Sequence, residues 1–296
     1  EVLKNVKRTN ISYQKLIDVS MRVSDTEASS YSEVILSLPG DSKEKHYSTI
    51  DKVVDAGINQ VRLLTLIILD GSELGTDSEI EKFNIKTRYR AVHRSFGNYE
   101  IDGEVLPSVE IEEVCVENES LPFEDYIECR RFALTVTIFY CDKIMFELTQ
   151  FIKNMGFKVS EWLHYVHEDY VRFPEKLSEI YDQFTKETIE ELAESKEDFE
   201  RWIKYEPGIM DDYINGDRGN NVLFNTQARV HLEAIKELHE VAFRCAAEFT
   251  KVDQHKDSAH LLKYLKELER YAFSKRKNFT DIHKTYTEDF SFDFIA

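Results

Sequence analysis

No stretch of this sequence is long and apolar enough to cross a bilayer. The longest apolar run, residues 132–141, carries Thr135 and Thr137 and is about half of the ~20 residues that a spanning helix needs. Basic residues are also in deficit: 38 Lys and Arg stand against 56 Asp and Glu, for a formal charge of -18. Clustered cations drive phosphate binding, so this balance argues against nucleic acid or an anionic membrane as a partner. Cysteine is sparse. Cys115, Cys129, Cys141 and Cys245 lie too far apart for a dense disulfide framework or a zinc ligand set, and the expectation is reduced thiols in a cytoplasmic compartment. No fixed-period repeat, long low-complexity linker, phosphate loop or Ser-His-Asp motif stands out. What is present is 42% hydrophobic residues over 296 positions, enough to build a sizeable core in one domain or two.

The stretch from Tyr31 to Leu74 organises the rest. Ser32 to Leu38 is a short run rich in Val, Ile and Leu, stopped by Pro39-Gly40, the pattern of a strand buried on both faces. A helix should follow: Tyr47, Ile50, Val53 and Val54 share a face, Asp41 or Ser42 can cap it, and Gly57 suits its end. Val61 to Leu69 is a second apolar run. Strand, helix and strand make a parallel unit, whose working loops lie at the carboxyl ends of the strands. Residues 31–38 and 61–68 are therefore expected as adjacent parallel strands, with Leu38-Pro39-Gly40 and Leu69-Asp70-Gly71 on one edge.

Upstream, residues 11–23 read as a helix capped by Ser12, with Leu16, Ile17, Met21 and Val23 as inward positions. Downstream, residues 75–85 suit a loop or short helix. Strands are expected over 86–96 and 108–116, with turn residues between them. From Ser120, a second possible cap, the pattern is helical. Residues 123–155 carry no breaker before Gly156 and are apolar all round in the middle, so this helix should be the most buried. Helices over 160–170, 174–196, 198–205, 225–250 and 258–277 follow. Tyr264, Tyr271, Phe273 and Phe279 read as core, and the run 186–201 as a solvated face of weak ion pairs. Phe290, Phe292 and Phe294 in the tail suit an edge strand or a segment docked on a helix.

Two short stretches carry a family resemblance. Ser32-Glu33-Val34-Ile35-Leu36-Ser37-Leu38-Pro39-Gly40-Asp41-Ser42, and the later Gly71-Ser72-Glu73-Leu74, resemble the last two strands of the radical S-adenosylmethionine (radical SAM) barrel. Leu3-Lys4-Asn5-Val6-Lys7-Arg8-Thr9-Asn10 is similar to the segment before the fifth strand there. Residues 110–114 and 121–126 suit the region after the barrel in the cobalamin-binding subgroup. The resemblance covers about residues 1–155. It implies an α/β fold: the terminal strand-helix units of a partial barrel (1–75), a small β insertion (76–118) and a mainly helical region (119–296). It also implies S-adenosylmethionine and a four-iron, four-sulfur cluster as cofactors, with cobalamin in the subgroup, and a small-molecule substrate attacked by a cofactor-derived radical. The family's C-x3-C-x2-C cluster motif is absent from the sequence. Since the chain also opens at Glu1, it is expected to be the carboxyl-terminal part of a longer enzyme, not competent alone.

The residues that the resemblance places at the cofactor are Arg8, Glu33, Ser37, Leu38, Pro39, Gly40, Leu66 and Leu69. Pro39-Gly40 serves equally as a tight turn. The planar fork of Arg8 suits the methionyl carboxylate, or is simply solvated. Glu33, inside an apolar strand, needs a partner such as Arg62 or Arg8, or a ligand. Separately, Glu161, His164 and either His167 or Glu168 share a helix face with the Glu-x-x-His half of a di-iron set, and the region of Asp257 and His260 is its one distant echo. An amphipathic helix with exposed His and Glu explains that spacing as well. Two other readings of the whole chain stand beside the radical enzyme: another α/β-barrel enzyme, and a non-catalytic acidic interaction module.

Overall fold

A computed structural model describes residues 2–24, 29–278, 281 and 283–294. Val2–Asn5 (α1) and Tyr13–Ser24 (α2) are helical. Ser12 caps α2, its Oγ accepting from the Lys15 amide at 3.2 Å. The inward stripe of α2 runs through Leu16, Ile17 and Ser20. Met21 falls off that stripe and is 65% exposed, against expectation. The side chain of Val23 lies outside the described residues.

Tyr31–Leu36 (β1), Lys43–Asp55 (α3) and Gln60–Thr65 (β2) form the expected unit. β1 and β2 are parallel, with Val34 opposite Leu63 and Leu36 opposite Thr65. Ser42, not Asp41, caps α3, while Ile50, Val53 and Val54 are buried and Gly57 takes φ 81° at the helix end. Two expectations fail. The strands are covered on one face only: Val34, Leu36, Val61 and Leu63 point inward, and Tyr31 and Leu64 are 60% and 40% exposed on the other face. The second strand also stops early. At Leu66 the chain leaves β2, and Ile67–Ile68 (β3) pairs in another sheet.

The other strands of that sheet follow Asp77–Phe83 (α4), the short helix allowed for residues 75–85. It holds Lys86–Ile101 (β4) and Glu104–Glu117 (β5), in the order β3-β5-β4 and antiparallel throughout. The hairpin is longer than expected because Asp102 and Gly103, with φ 53° and 84°, close it alone, as an Asp-Gly pair readily does. Gly97, Asn98 and Pro107 then fall within the ladder. The distal arm stands clear of the body, with Tyr99, Ile101, Val105 and Leu106 each 45–63% exposed.

The helical half is built on Phe123–Phe139 (α5). Phe132, Leu134, Val136, Ile138 and Phe139 are fully buried, as an all-round apolar helix must be. Around or beyond it lie Phe146–Asn154 (α6), Val159–Glu168 (α7), Glu175–Glu190 (α8), Lys196–Tyr205 (α9), Ile209–Asn215 (α10), Val222–Glu233 (α11), Ile235–Phe249 (α12) and Ser258–Ser274 (α13). Among the described residues no helix is long and apolar enough to cross a membrane. Pro122 occupies the cap position of α5, so Ser120 is not its cap. The single helix expected over 123–155 breaks at residues 140–145 without Gly or Pro. Tyr140 donates its hydroxyl to the carbonyls of Val54 and Ile58, at 3.1 and 2.7 Å, and Asp142 takes φ 57° while accepting from Gln60 and Gln227. Similarly, 225–250 divides at buried Ala234, where φ is -130°, and α10 forms where no helix was expected. The tail docks on a helix: Phe290 meets Tyr271, Phe292 meets Tyr264, and Phe294 meets both tyrosines. Phe279 lies outside the described residues.

Because the hairpin arm buries so little, replacing residues 98–107 with Asn-Gly is expected to leave Tm within about 2 °C of the parent in a thermal melt. A second prediction concerns His239, which is 1% exposed and donates Nδ1–H to the Ile235 carbonyl at 2.8 Å. Burial pushes its pKa down from 6.5 to about 4. Between those values the unfolded chain binds the proton and the folded chain does not, so this group makes stability rise with pH. The slope is at most about 1.4 kcal/mol per pH unit. Urea unfolding from pH 4 to pH 7 should show that slope reduced in His239→Gln.

Candidate functional site

At the carboxyl end of β1 the chain turns sharply. Ser37 takes φ 71° and Gly40 φ 81°, and the Asp41 amide bonds the Leu38 carbonyl at 2.9 Å. A Cβ on Gly40 would lie 2.8 Å from Nδ2 of Asn5. Glycine suits the left-handed backbone here, and a larger residue would push the Asn5 amide aside. The same Nδ2 donates to the Pro39 carbonyl at 2.9 Å. From the other side, buried Asn118 donates Nδ2 to the Ser37 carbonyl at 3.1 Å, and Ser120 donates Oγ to the Asp41 carbonyl at 2.7 Å. Beneath the loop, the buried His46 Nδ1 lies 3.6 Å from the Asp41 carboxylate.

At the end of β2, Leu66 serves two sheets. Its amide donates to Leu36 at 3.0 Å and its carbonyl accepts from Cys115 at 2.9 Å. Leu69, Asp70 and Gly71 then turn, Ser72 caps a short 3-10 turn over Glu73–Gly75, and α4 begins. Both loops reach one cavity of about 270 Å³, walled by Asn5, Arg8, Leu38, Leu66, Leu69 and Glu73 among others. Leu38 and Leu69 thus share one edge of the parallel pair, as expected. Lys7 pairs with Glu73 across the cavity, an interaction that raises the pKa of Lys7, and Glu79 pairs with Lys82 at 2.9 Å. Arg8 makes no ion pair among the described residues.

Of the eight residues singled out from the sequence, Arg8, Leu38, Leu66 and Leu69 line this cavity. Pro39 and Gly40 shape its loop without lining it. Ser37 is buried with an unpartnered Oγ. Glu33 is neither enclosed nor at the cavity. It sits 3.6 Å from Arg62, both side chains about half exposed, and the Arg62 guanidinium covers the Tyr31 ring at 4.4 Å. The pairing with Arg62 anticipated from the sequence is present, but the enclosed environment is not, because that face of β1 is open. Asn5, Lys7 and Glu73 were not named as site residues, although all three lie inside the stretches that carried the resemblance. Nothing in the local pattern singled out Asn118.

The residues of the Glu-x-x-His face have separate partners. His164 Nε2 is 2.9 Å from Asp51, Glu161 is 3.3 Å from Lys158, and His260 meets Phe292 edge-on. His167, expected to be exposed, is buried. Its Nε2 is 2.9 Å from Glu128 and its Nδ1 3.0 Å from Thr135, whose hydroxyl lies 3.1 Å from that of Tyr181. The hydrogen bond from His167 holds the Glu128 carboxyl below its ordinary pKa. Among the described residues no three His, Cys, Asp or Glu side chains are grouped to hold a metal. All four cysteines are free and buried.

If Asn118 holds the loop, removing its amide should cost about 2 kcal/mol by leaving the Ser37 carbonyl short of a donor in the interior. Asn118→Ala measures this by chemical unfolding. The near-isosteric Asn118→Asp should be at least as damaging, since it sets a carboxylate against that carbonyl. In comparisons with known proteins, no family model and no curated protein matches this chain.

Proposed function

We propose that this chain is the carboxyl-terminal part of a radical SAM enzyme, with β1, α3 and β2 as the last units of its barrel and the helical half covering one side. The observation that carries the reading is the parallel β1–β2 pair. Parallel sheets are almost always covered on both faces, yet here one face presents Ile35 and Leu64 at the end where both loops and the cavity lie. Further parallel strands would complete such a sheet, and a cofactor would lie against its inner face.

The residues present suit S-adenosylmethionine. Leu38, Leu66 and Leu69 offer apolar surface to a purine ring. Arg8, a cavity cation with no ion pair among the described residues, suits the methionyl carboxylate, and Glu73 suits ribose hydroxyls or the α-ammonium. Gly40 lets the backbone approach closely. When bound with its iron-sulfur cluster, the cofactor supplies radical chemistry, hydrogen abstraction or, with cobalamin, methyl transfer. This chain's own part is to position the cofactor and exclude water. The cluster ligands would come from outside the residues described.

The test uses the longer polypeptide, reconstituted anaerobically with iron and sulfide and given S-adenosylmethionine and a reductant. 5′-Deoxyadenosine should appear, and Arg8→Ala should raise the S-adenosylmethionine concentration for half-maximal rate about tenfold, the loss of one charge-assisted contact. No nucleoside from protein that holds its cluster, with or without candidate substrates, would return the chain to the interaction-module reading.

A further inference from the structure

A second cavity, of about 170 Å³, lies away from the β1–β2 edge, between β4, the end of α8 and the loop 216–221. Two irregular segments clasp around it. In β4 the register shifts between Ala91, opposite Ile111, and Phe96, opposite Val109. Residues 92–95 therefore bulge out of the ladder, with Arg94 at φ 61°. Such bulges re-aim side chains, and this one sets His93 on the cavity wall. The Arg94 amide bonds the Gly219 carbonyl at 3.1 Å. At Gly219, with φ 71°, a Cβ would come within 2.5 Å of the Phe96 ring and 2.6 Å of Tyr213.

The chemistry of the walls is specific. Arg90 is buried and already satisfied, 2.6 Å from Glu112 and 2.7 Å from Glu191. Arg218 is paired with Asp212 at 3.3 Å. Glu190 and Asp217 add negative charge to the wall, and Glu190 also lies 3.8 Å from Lys186, one turn back on α8. Trp202 and Tyr213 present aromatic rings, and the buried His93 Nε2 has no hydrogen-bond partner. Burial and the neighbouring Arg90 hold His93 neutral, so Nε2 can offer a lone pair to a donor. The Arg218 guanidinium stands 4.9 Å from the centre of the Trp202 ring, so the aromatic face already carries a cation of the chain's own.

We propose that this cavity binds the ammonium or guanidinium head of a small organic cation, which takes the Trp202 face from Arg218 and donates to His93 and the acidic rim. Cation–π attraction and carboxylates favour such a head, and the neutral histidine accepts from it. The volume is close to that of cavities that take benzene, about 150 Å³, which limits the buried part to a compact group. The proposal does not rest on the radical SAM reading.

The probe is n-butylammonium, with butyrate as the control of opposite charge, followed by fluorine NMR on the fluorotryptophan-labelled chain. The chain has two tryptophans, and Trp162 is fully buried elsewhere. Trp202→Phe assigns the signals. Butylammonium should shift the Trp202 signal saturably and leave Trp162 still, and butyrate should move neither. Arg218→Met should tighten binding by about threefold or more, and the pair Glu190→Gln with Asp217→Asn should weaken it by a similar factor. Equal saturation by butyrate would overturn the proposal. So would the absence of a saturable shift in Arg218→Met up to about 100 mM probe. Wild-type binding with no gain in Arg218→Met would remove the internal-occupant role of Arg218.

Discussion

The second half of helix α5 has no face that tolerates water, and the rest of the fold answers to that. Its residues from Phe132 to Phe139 are buried on every side, so neighbours must close around the whole circumference. Helices α3, α7, α8 and α11 and strands β2 and β5 do so. The polar atoms that α5 carries inward then need partners in the interior. The chain Glu128–His167–Thr135–Tyr181 supplies them for Thr135 and ties α5 to α7 and α8, while Tyr126 Oη and Arg130 Nε stay buried without one. Apolar cover alone can be shared by many arrangements, whereas a fully bonded polar chain requires particular helices at particular heights.

The parallel pair inherits its position from this packing. Helix α3 lies between it and α7, and Tyr140, where α5 ends, donates to carbonyls just before β2. The end of β2 is held from the other side. Leu66 bonds both sheets through one residue, and the buried Arg90 of β4 reaches the Thr65 hydroxyl at 3.4 Å while joined to Glu112 and Glu191. Its one guanidinium bonds a carboxylate from β5 and another at the end of α8, so Arg90 fixes α8 and the hairpin against each other. The two cavities therefore lie on one continuous frame, one at the strand ends and one behind the hairpin.

Much of the local structure was legible because it rests on local physics. The caps Ser12 and Ser42, the left-handed Gly57 and the parallel pairing of β1 with β2 follow from side-chain hydrogen bonds, backbone sterics and apolar runs read in place. Among the site residues, Leu38, Leu66, Leu69 and Arg8 were legible as a group. What misled was the assumption that an apolar strand is covered on both faces, which placed Glu33 inside. The run 186–201 misled in the opposite way. It reads as solvated, yet Glu191 within it belongs to the buried Arg90 pair.

The sequence by itself determined most of the helical and strand segments, where several of them start, and that α5 lies deep. Those properties depend on periodicity and on groups a few residues apart. Only the tertiary structure decided the break after Phe139, the sheet change at Leu66, and the bulge that turns His93 toward a cavity. Each depends on a hydrogen bond to a residue distant in sequence: Tyr140 to Val54, Leu66 to Leu36 and Cys115, Arg94 to Gly219. No local pattern carries a bond whose other half lies dozens of residues or more away.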